Sequence, residues 1–153
     1  MPKIDLTKAV VRTGTIYPDQ FKSRVQGRAR RVLGDVAGLT QFGVNLTTLK
    51  PGAASALRHW HEVEDEFVFV VEGELTLVED NGETLLKPGD AAGFKGGVAN
   101  GHHLVNKSSR DAIYLEVGTR APADHAHYPD DDLDLERNAD KYTLRHKSGE
   151  PYR

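Results

Sequence analysis

No cysteine occurs in the 153-residue chain, which excludes disulfides, thiolate metal sites and cysteine nucleophiles together. Any metal must therefore be held by imidazole and carboxylate. Long apolar runs are also missing. No stretch approaches the roughly 18 consecutive apolar residues of a membrane helix, and MPKIDLTKAVVRTG at the start lacks the apolar core and cleavage site of a secretory signal. The expectation is a cytoplasmic protein with no membrane partner. Nor is there an excess of positive charge: the formal net charge is −3, which argues against nucleic acid as a partner. The chain has no internal repeat and no helix–turn–helix pattern, and its length suits one domain with a core of its own.

Strand signals fill residues 42–118. FGVNLTTL alternates and stops at the KPGA turn, and EFVFVVEGELTLVEDNGETLL reads as three strands. The first two are joined at Glu72-Gly73 and the next two at Asn81-Gly82, a strong hairpin pair. A turn at KPGD, then AAGF, HLVN and AIYLEV, continue the pattern. Short strands with a turn every 8–12 residues predict an all-β sandwich or closed barrel. In the first strand of EFVFVV, Glu66, Val68 and Val70 share one face, and Phe67, Phe69 and Val71 face another sheet or another subunit. That exposed aromatic face and the many strand edges suggest a homodimer.

The flanks are less regular. Residues 1–41 are expected to form an arm packing on the barrel core of 42–118, and 119–153 a C-terminal extension of the same domain. In the arm, QGRARRVLGDVAGL includes a candidate helical turn, while TRAPADHAHYPDDDLDLE reads as turns and loop. KYTLRHKSGEPY is a candidate last hairpin around Ser148-Gly149. The basic run at 21–31 suits packing on the acidic runs at 62–83 and 130–136, or recognition of an anion.

RHWHEVEDEF (58–67) carries the chemistry. Side chains two apart on a strand project from one face about 6.5–7 Å apart, so His59 and His61 can tilt onto one ion at about 2.0–2.1 Å each. Glu66 joins them if the chain turns a corner at EVED. Two imidazoles and a carboxylate leave open positions on a metal, as in non-haem iron oxygenases and several isomerases and lyases. A third histidine is offered by GHHLVN, where alternation lets only one of His102 and His103 face inward. His125 and His127 repeat the His-X-His spacing but read as surface or interface residues, and Glu62, Glu64 and Asp65 as a solvated loop. Tyr114 and Glu116 share a face of AIYLEV and are candidate catalytic acid–base groups if that face is interior. Lys95 is a candidate contact for an anion, or else solvent-facing.

Residues 51–106 resemble the cupin superfamily. Its first motif is matched by Gly52, His59, His61, Glu66 and Gly73, with one extra residue between Gly52 and His59. Its second is matched by Gly89, Gly97, His102 and Asn106; Lys95 stands where proline is usual, and two extra residues precede His102. The resemblance implies a double-stranded β-helix, jelly-roll-like barrel with a divalent transition metal (iron, manganese, nickel or zinc) held by His59, His61, Glu66 and His102, the last chosen by counting back from Asn106. The arginine-rich arm, LGDVAGLTQFG, YLEVGTR and YPDDDL resemble a group of single-domain bacterial cupins, some of them described as sugar-phosphate isomerases. The preferred expectation is an enzyme acting on a small oxygen-rich, anionic or sugar-derived substrate by Lewis-acid catalysis, of isomerase, dioxygenase or lyase type. The alternative is a non-catalytic cupin that binds or senses a small molecule. Fold alone does not decide between them.

Overall fold

The structure, a computed structural model, describes residues 2–153. Its strands are β1 (Val11–Arg12), β2 (Arg28–Val32), β3 (Phe42–Leu49), β4 (Trp60–His61), β5 (Glu66–Glu72), β6 (Leu75–Glu79), β7 (Gly82–Leu86), β8 (Ala91–Phe94), β9 (His103–Val105), β10 (Ala112–Thr119), β11 (Ala123–His127), β12 (Asp134–Asn138) and β13 (Lys141–Arg145). One short helix, α1 (Asp19–Lys22), lies in the N-terminal arm. Among the described residues, no helix is long and apolar enough to cross a membrane.

The strands form a six-stranded sheet in the order β1-β2-β3-β10-β5-β8, a four-stranded sheet β13-β12-β11-β4 and a three-stranded sheet β7-β6-β9. The pairings are antiparallel, as expected of the cupin-type all-β barrel. Asn81-Gly82 closes the β6–β7 hairpin, with Glu79 opposite Gly82. Glu72-Gly73 instead carries the chain from one sheet to another. There φ is +75° and a Cβ on Gly73 would lie 2.7 Å from the Asp111 carbonyl, so only glycine fits.

Strand alternation sorts the side chains as the sequence implies. Leu49, Val68, Val70, Leu75, Leu77, Leu86, Leu104 and Tyr114 are buried together as the barrel core, each such side chain contributing about 1.5–3 kcal/mol. Phe67, Phe69 and Val71 face outward and are exposed.

The flanks depart from the sequence reading. Within QGRARRVLGDVAGL, residues 28–32 are strand β2, paired with β3 from Arg28–Leu49 to Val32–Asn45, and only Gly34–Ala37 is a helical (3-10) turn. Residues 123–127 and 134–138, expected as turns and loop, are strands β11 and β12. Their period-two pattern is hidden because Asp124, a carboxylate, shares the inward face of β11 with Ala126. The final turn does form at Ser148-Gly149, where Arg145 bridges to Pro151. A second core joins the two flanks: Tyr17, Phe21 and Val25 of the arm pack with Leu57, Ala126, Tyr128 and Leu133.

Candidate metal centre in the barrel mouth

His59 and His102 face one another in an isolated antiparallel bridge, exchanging backbone hydrogen bonds of 3.2 and 2.9 Å. His61 lies two residues along on β4, and Glu66 opens β5 after a corner at residues 62–65. That corner is pressed against Gly96, where a Cβ would lie 2.2 Å from the Val63 carbonyl. Gly96 N–H donates to Asp65 (2.8 Å), and Gly97 N–H to the His61 carbonyl (2.8 Å). The glycine pair thereby fixes the corner that brings Glu66 to the histidines.

All three imidazoles present Nε2 to one carboxylate. His61 Nε2 lies 3.0 Å and His59 Nε2 3.5 Å from Glu66 Oε1, and His102 Nε2 lies 2.5 Å from Oε2. The outer nitrogens are tied down. His59 Nδ1 donates to the Leu57 carbonyl (2.7 Å), His102 Nδ1 to the Asn100 carbonyl (2.9 Å), and His61 Nδ1 meets Asp124 Oδ2 at 2.5 Å. A carbonyl can only accept, so Nδ1 of His59 and His102 must carry the proton. Each neutral ring then aims a lone pair at an anionic oxygen. A cation has to sit between them, either protons or one metal ion. Phe94 stacks on His102 (centroids 3.6 Å apart) and Tyr128 lies 5.7 Å from His59, walling the cluster.

The electrostatics agree. Burial pushes the Glu66 carboxyl up, but hydrogen bonds from His102, His59 and His61 outweigh it and hold its pKa well below the usual range. Burial disfavours the His61 imidazolium, yet Asp124 and Glu66 more than compensate and raise its pKa to about 10.

The cluster opens into a cavity of about 850 Å³, within the range of small-molecule sites. Arg28 and Arg30 line it from β2, Tyr114 and Glu116 from β10. Arg28 donates to the carbonyls of Ser55 (2.6 Å) and Gly14 (3.2 Å). The Nε groups of both arginines are buried without a hydrogen-bond partner; that of Arg30 lies 2.9 Å from Glu116 Oε1 but out of hydrogen-bond alignment. Glu116 accepts from Asn45 (3.1 Å), Thr47 (3.0 Å) and the Tyr114 hydroxyl (3.3 Å). Tyr114 is fully buried, which pushes its pKa well above the ordinary value and keeps it protonated.

Comparison with known proteins decides the family. The cupin domain family matches residues 45–118. A cupin-superfamily sugar phosphate isomerase from Silicibacter pomeroyi is 45% identical, with TM-score 0.95 over 99% of this chain and 97% of that one. The chain belongs to the cupin superfamily. A candidate sugar phosphate isomerase from Acidithiobacillus ferrooxidans is 30% identical, with TM-score 0.74 over 87% of this cupin and 92% of that chain. A polyketide cyclase from Streptomyces resistomycificus, 19% identical, shares the fold at TM-score 0.63 over 96% of this cupin and 85% of that chain. A search of curated proteins finds no match.

Cupins typically hold a metal, and His59, His61 and Glu66 of this one bring their ligand atoms close enough to hold an ion, with His102 Nε2 adjoining at Glu66 Oε2. Three imidazoles with fixed outer protons converge on one carboxylate, and outer partners of this kind orient metal ligands. His59, His61, Glu66 and His102 are thus brought together as the sequence suggested. His103 is turned to the other face of β9, where Nδ1 bonds the Ala56 carbonyl (2.7 Å). Tyr114 and Glu116 lie on the interior face. Lys95 is exposed and lies outside the cavity lining.

Other features were not read from the sequence. Asp124, which fixes His61 and also accepts from Val63 N–H (3.0 Å), lies in a segment whose sequence reads as loop. The acidic corner is not simply solvated: Glu64 is half-buried, ion-paired with Arg137 and in the cavity lining. Burial pushes the Glu64 carboxyl up, with Arg137 opposing. The basic arm divides its work, Arg24 pairing with Asp131 of the acidic tail (2.6 Å) while Arg28 and Arg30 reach the cavity. Only the two-residue alternation of RARR, with Arg28 and Arg30 on one face, signalled this.

Proposed function

We propose that this cupin is a metal-dependent enzyme that isomerises a small phosphorylated sugar or a closely similar polyhydroxylated anion. The observation that carries the proposal is the meeting, in one cavity, of the three-histidine, one-glutamate cluster with the guanidiniums of buried Arg28 and half-buried Arg30, whose Nε atoms are buried and make no hydrogen bond. Buried donors without acceptors are costly, and a phosphate or carboxylate supplies the missing acceptors bidentately. The name of the Silicibacter pomeroyi relative, a sugar phosphate isomerase, supports the same reading.

His59, His61, Glu66 and His102 would hold the metal, which supplies a Lewis acid for the adjacent carbonyl and hydroxyl oxygens of an open-chain sugar. Arg28 and Arg30 bind the anionic end and fix how far the reacting carbons reach into the mouth. An anion drawn to Arg30 competes with Glu116 for the guanidinium. That removes one of the groups held by Glu116 Oε1, which still accepts from Asn45 and Thr47, and lets the carboxylate take a proton from the carbon beside the carbonyl and return it to the former carbonyl carbon, while the hydroxyl proton passes through water to the carbonyl oxygen. Tyr114, held protonated, donates to Glu116 and keeps its carboxylate oriented. Phe94 and Tyr128 exclude water from the histidine face.

The test is an NMR assay of aldose and ketose phosphates with manganese-, iron- or zinc-loaded protein. Interconversion is expected, lost in His61→Ala and strongly reduced in Glu116→Gln. Binding of these sugars without turnover by any loaded form would replace catalysis by a sensing role.

A further inference from the structure

The back of the four-stranded sheet carries a second cluster that the barrel mouth does not use. On β11 the inward side chains are Asp124 and Ala126, so His125 and His127 project to the opposite face. Trp60 of β4 stacks on His127 there, with centroids 4.4 Å apart and planes at 20°. Glu62, just after β4, reaches the same face: its Oε1 lies 2.7 Å from His127 Nε2 and 3.4 Å from His125 Nδ1. The two imidazoles stack with centroids 4.1 Å apart. On β12, Asp134 Oδ1 lies 2.6 Å from His125 Nε2. Glu136 stands opposite His125 in the register, 3.5 Å from Arg145 of β13. With neutral imidazoles, three carboxylates (Glu62, Asp134, Glu136) face one guanidinium on this patch, a balance that favours a cation.

We propose that His125 Nδ1, His127 Nε2 and Glu62 Oε1 bind one divalent transition cation of the zinc class, separate from the barrel-mouth centre. Two features beyond the spacing point to a metal. Donor atoms at about 2.0–2.1 Å from one tetrahedral ion lie about 3.3 Å apart, and Glu62 Oε1 already stands at 2.7 and 3.4 Å from the two imidazole nitrogens. His125 also has the outer partner characteristic of metal-bound histidine, a carboxylate on its other nitrogen. Asp134 therefore positions the ring and is not itself a ligand. The fourth position, toward solvent, is left for water. Glu62, His125 and His127 lie outside the lining of the barrel-mouth cavity, and the ion would act as a clip: it joins the two-residue strand β4, which carries His61 on its other side, to β11 and through Asp134 to β12. The inference does not depend on any activity at the mouth.

Trp60 is the only tryptophan in the chain, which provides a local reporter. In full-length His59→Ala/His61→Ala protein, whose mouth centre is dismantled, zinc is titrated against a chromophoric chelator while tryptophan emission is followed. The expected result is one zinc per chain with a change in Trp60 emission. Adding His127→Gln, or separately the near-isosteric and surface-exposed Glu62→Gln, weakens that binding at least tenfold; circular dichroism checks that each variant is folded. Absence of zinc binding in the His59→Ala/His61→Ala protein, or equal binding in folded variants carrying Glu62→Gln or His127→Gln, overturns the proposal.

Discussion

Two His-X-His pairs lie on neighbouring strands of one sheet, Ala126 opposite His61 and His127 opposite Trp60, yet they face opposite ways into different surroundings. The pair at 59 and 61 looks into the cavity of the barrel mouth, joined by His102, walled by Phe94 and Tyr128, and adjoined by buried Arg28 and half-buried Arg30. The pair at 125 and 127 looks outward, between the carboxylates of Glu62 and Asp134 and beside Trp60, outside the lining of that cavity. Spacing gives both pairs the ability to share an ion. What separates a centre suited to chemistry from a structural clip is the wall around it: room for a substrate, and charged groups to hold one.

The largest expected effect breaks the mouth and spares the back. Glu66→Ala removes the carboxylate on which all three imidazoles converge, and should abolish both tight metal binding at the mouth and turnover, while the Trp60-linked zinc signal survives. Parallel metal analysis and tryptophan titration check both halves. Next, Glu116→Gln should lower kcat by about 10²- to 10⁴-fold, the usual contribution of a proton-transferring group, with mouth metal content unchanged. Arg30→Ala should instead raise KM for a phosphorylated substrate more than for its unphosphorylated counterpart, a split visible in steady-state kinetics.

A smaller effect sharpens the role of the outer partners. Asp124→Asn leaves a weaker acceptor for His61 Nδ1 and should reduce mouth metal affinity by about 10- to 100-fold with the barrel folded. Asp134→Asn should act in the same direction on zinc at the back face alone.

The smallest effect lies in the clamp beside His59. Arg58 forms a forked pair with Asp130 (2.7 and 2.8 Å), bonds the Gly101 carbonyl (2.9 Å) and pairs with Asp80. The Arg58 hydrogen bond holds the Asp130 pKa below its ordinary 3.8. A lowered folded-state pKa contributes stability above 3.8 that is lost as pH falls through the folded value. Arg58→Ala should therefore cost about 1 kcal/mol near neutrality, as a partly exposed pair does, and flatten the decline in melting temperature below about pH 3.8. Thermal melts across acid pH read both.

Residues 42–118 were legible because strands such as β3 and β5 have the alternation of a half-buried strand and most of the turns carry glycine or proline: FGVNLTTL is β3, and Asn81-Gly82 closes a hairpin. His59, His61 and Glu66 could be grouped because a strand and one corner bring them together, and His102 followed from the spacing to Asn106. The flanks were obscure for a physical reason. Strands β11 and β12 place Asp124, His125, Asp134 and Glu136 in paired positions, so polarity hides the alternation, and their burial comes from the distant Tyr17, Phe21 and Val25. The cavity arginines were equally hidden, since RARR looks like solvated charge until β2 pairs with β3. Asp124 and Glu64 gain their roles only through contacts with residues far along the chain.

The most direct test of the central claim, that the histidine cluster and the cavity-lining arginines Arg28 and Arg30 form one substrate site, is calorimetric titration of an aldose phosphate into manganese-loaded protein. The account predicts binding that is lost in both Glu66→Ala and Arg30→Ala and is much weaker for the unphosphorylated sugar. Equal affinity in wild type and both variants would contradict it.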